Sequence, residues 1–354
     1  GGIGAITTAS GQAALVLAIT TILEKGSHLI ASKSLYGGSH NLLEYTLPRF
    51  GIETTFVDLR KTNDIKKNIK KNTKLIFGET LGNPGLDVLN IPKVSKIAHD
   101  NNIPLLVDST FTTPYLMQPF SLGADLIFHS ATKFLSGHGV VIGGLLVDGG
   151  KFDWGSSTKF KTLTEPYEGF HDMNFVDEYG PAAYINRARK EGARDFGACM
   201  SPHTAFLVLQ GIETLNLRME RHIQNTRSIV DFLNSHQSVK SVCYPELEKH
   251  PDHKLAKNIL PKGCGAVFTF QLEGNKETGK KFIEQLNLFS HLANVGDAKS
   301  LVIHPASTTH HRMSSDALKK AGITESTIRL SVGIEDCDDL IEDLDEALTY
   351  STRK

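Results

Sequence analysis

Short apolar runs alternate with helical stretches along the first 150 residues. Residues 28–32 (HLIAS), 52–58 (IETTFVD), 74–80 (KLIFGET), 104–110 (PLLVDST), 126–132 (LIFHSAT) and 143–148 (GGLLVD) are rich in leucine or β-branched residues. They are bounded by Gly, Pro, Asn or Asp, which predicts strands. Between them, Gly11–Lys25, Gly38–Phe50, Thr62–Lys71 and Ile91–Asn101 predict helices. Strand and helix in steady alternation predict parallel strands joined by crossover helices. In such sheets ligands sit beyond the carboxyl ends of the strands. Chemistry is therefore expected in the residues that follow each strand.

Residues 151–200 break the pattern. They are aromatic, charged and glycine-containing, and predict an irregular excursion with one short helix around Ala182–Lys190. A long helix is expected from Pro202 to Leu233. Beyond it, VKSVCYP, GAVFTFQLEG, SLVIHPAS and TIRLSVG predict the strands of a smaller α/β unit. In the last helix Cys337, Leu340, Ile341, Leu344, Ala347 and Leu348 fall on one stripe. The expected fold is α/β: a large, mostly parallel sheet with helices on both faces over residues 1–218, and a smaller C-terminal α/β domain over 219–354.

Composition narrows the function. With 354 residues, two domains are the default expectation. A formal net charge of -1 gives no reason to expect a nucleic acid as partner. No apolar run approaches the roughly 20 residues of a membrane helix. Cys199, Cys243, Cys264 and Cys337 form no close pair, so neither a disulfide framework nor a zinc cage is indicated, which fits a reducing cytoplasm. The chain opens in GGIGAITTASGQAA, which reads as the inside of a domain, and a preceding N-terminal segment is expected.

Candidate chemistry lies where the strand ends predict it. Lys133 follows LIFHSAT, flanked by Ser130 and Thr132 and followed by Gly137 and Gly139. A desolvated lysine becomes a nucleophile toward aldehydes, and hydroxyls beside it can hold a phosphate. Asp108 ends PLLVD; it is either a turn or cap residue or a carboxylate aimed into the crevice to pair with a protonated pyridine nitrogen. Ser10, Gly11 and Gln12 open a helix, whose free N–H groups make an anion site, although Ser10 could serve only as its cap. Tyr36, beside Gly37 and Gly38, is either a loop aromatic or a ring that stacks on a flat cofactor and offers a hydroxyl. Glu79 and Asn83-Pro84 follow KLIFGET, where Asn83 is either a turn residue or a donor to a phenolic oxygen. In TIRLSVG, Arg329 shares one face with Ser331, opposite Ile328, Leu330 and Val332. Its guanidinium needs a carboxylate, from a protein Asp or Glu or from a substrate. The spacing of His304, His310 and His311 matches no standard metal-ligand pattern, and no metal is expected.

Assembled, these residues resemble the Cys/Met-metabolism family of fold-type I pyridoxal-phosphate (PLP) enzymes. The strings SGQAA, LYGGS, ETLGNP, VDSTFTTP, HSATKFLSGHG, SPHTAFLVLQGIETLNLRMERHIQN, HPASTTH and IRLSVGIED carry the resemblance, spread over nearly the whole chain. The excursion EGFHDMNFVDEYGPAAYINRARKEGARDFGACMSP, the string LANVGDAKSL and STTHH resemble the O-acetylhomoserine sulfhydrylases within that family.

The resemblance implies Lys133 as the Schiff-base lysine and Asp108 as partner of the pyridine nitrogen. It implies the amides of Gly11 and Gln12, with the hydroxyls of Ser130 and Thr132, on the phosphate. Tyr36 and Thr110 would lie on the two faces of the ring, and Asn83 on the phenolic oxygen. Arg329, helped by Ser307 and Asn83, would hold the substrate carboxylate, and Tyr36 would donate a proton to the leaving group. The implied reaction is γ-replacement on O-acetyl-L-homoserine by sulfide or a thiol, in a homo-oligomer built as a dimer of dimers. Methionine γ-lyase or cystathionine-type activity, or a non-catalytic PLP-binding chain, are the alternatives. The family also carries an upstream Tyr-x-Arg segment that reaches the neighbour's phosphate, and such a segment is expected ahead of Gly1.

Overall fold

The computed structural model describes residues 1–83, 85–308 and 324–352. Its larger sheet has seven strands: β1 (Gly4–Thr8), β2 (His28–Ser32), β3 (Glu53–Val57), β4 (Thr73–Glu79), β5 (Leu105–Asp108), β6 (Leu126–Ser130) and β7 (Gly144–Asp148). Their order is β1-β7-β6-β5-β4-β2-β3. β3, β2, β4, β5 and β6 are parallel neighbours, as the alternating pattern predicts. All seven residues of β4 are buried, so the central strand is apolar on both faces.

β7 departs from the expectation. It runs antiparallel to both β6 and β1. A parallel return needs a crossover that is usually helical. The β6–β7 connection, residues 131–143, forms turns instead and folds straight back. β1 was not among the expected strands. It lies at the sheet edge, and only Ile6 and Thr8 of its five residues are buried, which leaves a weak apolar signal.

Helices cover both faces. Gly11–Thr20 is almost wholly apolar and packs against the sheet together with Ile6, Leu29, Leu75 and Leu106. The segment expected as one helix over Gly38–Phe50 is a helical turn at Gly37–Asn41 that widens over Leu42–Thr46 and tightens over Leu47–Phe50. The excursion 151–200 is built of short turns, with a helix at Ala183–Arg187. It is anchored by its aromatics. Trp154 stacks on Tyr184 at 5.1 Å, both are buried, and the Tyr184 hydroxyl donates to Ala18 O at 3.0 Å. The single helix expected from Pro202 to Leu233 is two, Pro202–Glu213 and Leu215–Ser235. The break is at Thr214 (φ -106°, ψ 8°), where the Arg218 guanidinium takes the carbonyl of Gly211 at 2.5 Å.

The smaller sheet contains β8 (Val239–Cys243), β9 (Val267–Leu272), β10 (Ser290–His291), β11 (Leu301–Ile303) and β12 (Thr327–Ser331), in the order β10-β11-β12-β9-β8. It is antiparallel except between β10 and β11. The final helix, Cys337–Thr352, buries Leu340, Leu344, Ala347 and Leu348, with Cys337 and Ile341 half-buried beside them. The helix Leu215–Ser235 spans the position proposed as the domain boundary, 218/219, and links the two sheets. Among the described residues no helix is long and apolar enough to cross a membrane.

Candidate active site

The carboxyl ends of β6, β5, β4 and β2 stand side by side, and each delivers one of the expected residues. Lys133 sits three residues past β6 in a tight turn, in which its amide donates to Ser130 O at 3.2 Å and its carbonyl accepts from Gly137 N at 2.8 Å. Gly137 is in the left-handed region (φ +72°), and a Cβ there would meet the Arg218 guanidinium at 2.1 Å. Arg218 is itself buried and donates to the carbonyls of Phe134 (2.8 Å) and Leu135 (3.4 Å), which fixes the backbone after the lysine. Burial, reinforced by the charge of Arg329, pulls the Lys133 amine down to about 8. Much of it is then the neutral nucleophile at mildly alkaline pH. Its Nζ donates to Asn294 Oδ1.

Asp108 ends β5. Desolvation pushes its carboxyl up to about 6, while the Thr110 amide (2.9 Å) and hydroxyl oppose the shift by donating to Oδ1. Thr110 Oγ1 in turn accepts from Ser130 N at 2.9 Å, so one chain of hydrogen bonds ties Asp108 to the strand that carries Lys133. Glu79, the last residue of β4, is in register with Asp108. Burial, then the Asp108 charge, raise it well above the ordinary carboxylate range, and it accepts the Tyr36 amide at 2.6 Å. Like charges side by side in a desolvated site do not both ionise, so Glu79 keeps its proton where Asp108 is charged.

The helix Gly11–Thr20 begins against β6. Ser10 Oγ caps it by accepting Ala13 N at 3.0 Å. A Cβ on Gly11 would lie 2.7 Å from Ser130 Cβ, so only glycine lets the helix start approach so closely. The result is a cradle of N-terminal amides beside the Ser130 hydroxyl, suited to an anion. Gln12 Nε2 donates to Gly38 O at 2.9 Å and joins this cradle to the Tyr36 loop. The Thr132 hydroxyl is engaged by Gly143, accepting the amide at 3.1 Å and donating to the carbonyl at 3.3 Å.

Arg329 approaches from β12. Ile328, Leu330 and Val332 are wholly buried on the opposite face, as the alternation predicts. Its guanidinium donates to Asn83 Oδ1 (3.3 Å) and to the carbonyl of Asn294 (3.4 Å). Among the described residues it has no carboxylate within ion-pair distance. Burial lowers it to about 10. A desolvated guanidinium held only by neutral acceptors is a receptor for an incoming anion. Tyr36, Glu79, Asn83 and Arg329 line one wall of a cleft of about 1030 Å³ between the ends of β2 and β4 and the small-domain strands. Lys133 and Asp108 lie off this wall, joined to it through Asn294–Arg329 and through Glu79. Tyr36 is 53% exposed at its mouth.

Ser307 does not join Arg329. Its hydroxyl is paired with His304 Nδ1 at 2.9 Å. The other His304 nitrogen meets Glu325 O at 2.7 Å, while His310 and His311 lie outside the described residues. Two residues of the site gain no role from the sequence alone: Asn294, in an irregular segment, and Glu79. The position of Glu79 at a strand end, matching that of Asp108, was the available signal.

A desolvated lysine, a half-buried carboxylate and a glycine-gated helix start fit PLP, with its aldehyde, ring nitrogen and phosphate. A family model described as Cys/Met metabolism PLP-dependent enzyme matches residues 1–349. The O-acetyl-L-homoserine sulfhydrylase of Leptospira meyeri is 46% identical over 98% of this chain and 80% of its own length. The homocysteine synthase of Schizosaccharomyces pombe is 45% identical, covering 98% and 81%. A crystal structure described as an O-acetylhomoserine (thiol)-lyase from Campylobacter jejuni, with N'-pyridoxyl-lysine-5'-monophosphate, superposes with a TM-score of 0.95 at 39% identity, over 99% of this chain and 83% of that one. The seven-stranded sheet with its smaller five-stranded companion is the fold-type I arrangement that the resemblance implies. The chain belongs to the Cys/Met metabolism PLP-dependent enzyme family.

Proposed function

We propose that this PLP-dependent enzyme replaces the acetoxy group of O-acetyl-L-homoserine with sulfide or a thiol, giving homocysteine or a thioether and acetate. The observation that carries the reading is the pairing of a desolvated lysine with an arginine that has no protein carboxylate among the described residues, joined through one asparagine. Relatives named for this activity, at 41–46% identity over nearly the whole chain, support it. When bound, PLP supplies an electron sink for the charge that develops on the substrate carbons.

The chain's own residues do the rest. Lys133 holds the cofactor aldehyde and, once free, moves protons at the substrate Cα and Cβ. Asp108 holds a proton on the ring nitrogen, and the Gly11–Gln12 helix start with Ser130 takes the phosphate. Arg329 and Asn83 bind the substrate carboxylate, which fixes the orientation of the bonds at Cα. Tyr36, at the cleft mouth, protonates the departing acetate. The exposed apolar side chains Phe206 (58%), Leu209 (60%), Leu217 and Ile142 support the expected homo-oligomer. The four unpaired cysteines support a cytoplasmic setting.

The test is borohydride reduction of the PLP-loaded protein with peptide mapping, followed by assay of O-acetylhomoserine plus sulfide against methionine or cystathionine alone. Covalent PLP on Lys133 and homocysteine formation are expected. PLP on another lysine, or turnover only of methionine or cystathionine, would overturn the reading.

A further inference from the structure

Asn294 lies between β10 and β11, outside every strand, and touches both groups on which the proposed reaction depends. Its side-chain oxygen accepts from Lys133 Nζ, and its carbonyl accepts from Arg329 Nη2 at 3.4 Å. The segment that carries it is held in place from two sides. Ala298 N donates to Gly137 O at 2.8 Å, in the turn of Lys133. Gly296 N donates to Ser331 Oγ at 3.0 Å, on the strand of Arg329. A Cβ on Gly296 (φ +75°) would stand 2.7 Å from Phe134 N, so the segment lies flat against the residue after the lysine. Among the described residues, Lys133 Nζ has no ion-pair partner and no hydrogen-bond acceptor other than Asn294.

The residue type suits an amine that must leave and return. A carboxylate in this place would hold the lysine as ammonium and block its use as a nucleophile or base. An apolar side chain would leave a half-buried amine without direction. An amide oxygen accepts a hydrogen bond from either protonation state and takes no proton itself.

We propose that Asn294 is a positioning residue that holds the Lys133 amine whenever that amine is not joined to the cofactor. This rests on Lys133 being the cofactor lysine. It adds that the amine has a docking place on the segment between β10 and β11 that also meets Arg329.

The test is made on cofactor-free protein. Lys133 is acetylated with trace acetic anhydride across a pH series, and its modification is followed by peptide mass spectrometry in wild type, Asn294→Ala and Asn294→Asp. Removing the acceptor favours the neutral amine, so Asn294→Ala lowers the pH midpoint of reactivity by about half a unit to one unit. Placing a carboxylate there raises it by about one unit or more. Opposite shifts in proteins of equal thermal stability support the proposal, because a packing role would not reverse sign with charge. Midpoints that stay put, or that move the same way in both variants, overturn it. In the PLP-loaded enzyme, Asn294→Ala should lower kcat about tenfold with little change in KM, and Asn294→Ser should recover part of the loss; a change confined to KM overturns the proposal. Borohydride mapping reports separately whether Lys133 carries PLP, so failure of the functional reading and failure of this one give different results.

Discussion

The floor of the site and its roof are built differently. The floor, at the ends of β4, β5 and β6, is fixed by backbone. Glu79 and Asp108 are neighbours in strand register, Thr110 is pinned between Asp108 and Ser130, and the lysine turn is clamped by Arg218. On the roof, from the small domain, the Arg329 guanidinium itself has only longer contacts of 3.3 and 3.4 Å to neutral oxygens. A floor of this kind stays preorganised for a resident group. A roof of this kind has spare hydrogen-bonding capacity and suits a ligand that comes and goes.

The sharpest way to break the contrast is at the floor. Lys133→Ala should lower turnover of O-acetylhomoserine with sulfide by about 10³-fold or more while the circular dichroism spectrum is unchanged, since it removes both the covalent hold and the proton carrier. Retained turnover would mean that another base serves.

Next comes the roof. Arg329→Ala should lower kcat/KM by about 10²-fold, mainly through KM, in steady-state assays, because the anion receptor is lost. Arg329→Lys should recover only part, as one ammonium cannot reproduce the two-pronged contact.

Asp108 links chemistry to stability. Its folded pKa of about 6 lies above the value of 3.8 for an exposed group, so between these limits the native protein binds more protons than the unfolded chain. Stability of the cofactor-free protein therefore falls as pH rises from about 4 to about 6. Asp108→Asn should flatten that slope and raise stability at pH 7 by on the order of 2 kcal/mol in urea unfolding, while weakening turnover. An unchanged slope would place the titration elsewhere.

The smallest effect is expected at Glu79. Glu79→Gln keeps the acceptor for the Tyr36 amide and imitates the protonated acid, so activity at neutral pH should change by less than about threefold. A loss as large as that of Asp108→Asn would mean that Glu79 works as a charged group.

Much of this was legible along the chain. Every expected strand exists, because short apolar runs bounded by turn residues report burial in a sheet, whatever the direction of the neighbouring strands. Lys133, Asp108 and Asn83 could be picked out because parallel topology sends strand ends to one edge. The antiparallel return of β7, the break at Thr214 and the engagement of Thr132 by Gly143 were not legible, since each depends on a partner distant in sequence or on the length of an irregular loop.

Residue identity and local periodicity are enough to fix which segments are buried and which side chains end a strand. Desolvation, register and contacts between units are properties of the assembled fold. The alternation in TIRLSVG placed Arg329 on its face of β12, but only tertiary packing gave it Asn83 and Asn294 as neighbours. The same packing put Glu79 beside Asp108 and lowered the basicity of Lys133, because electric fields in a protein are set by what surrounds a charge, not by what precedes it in the chain.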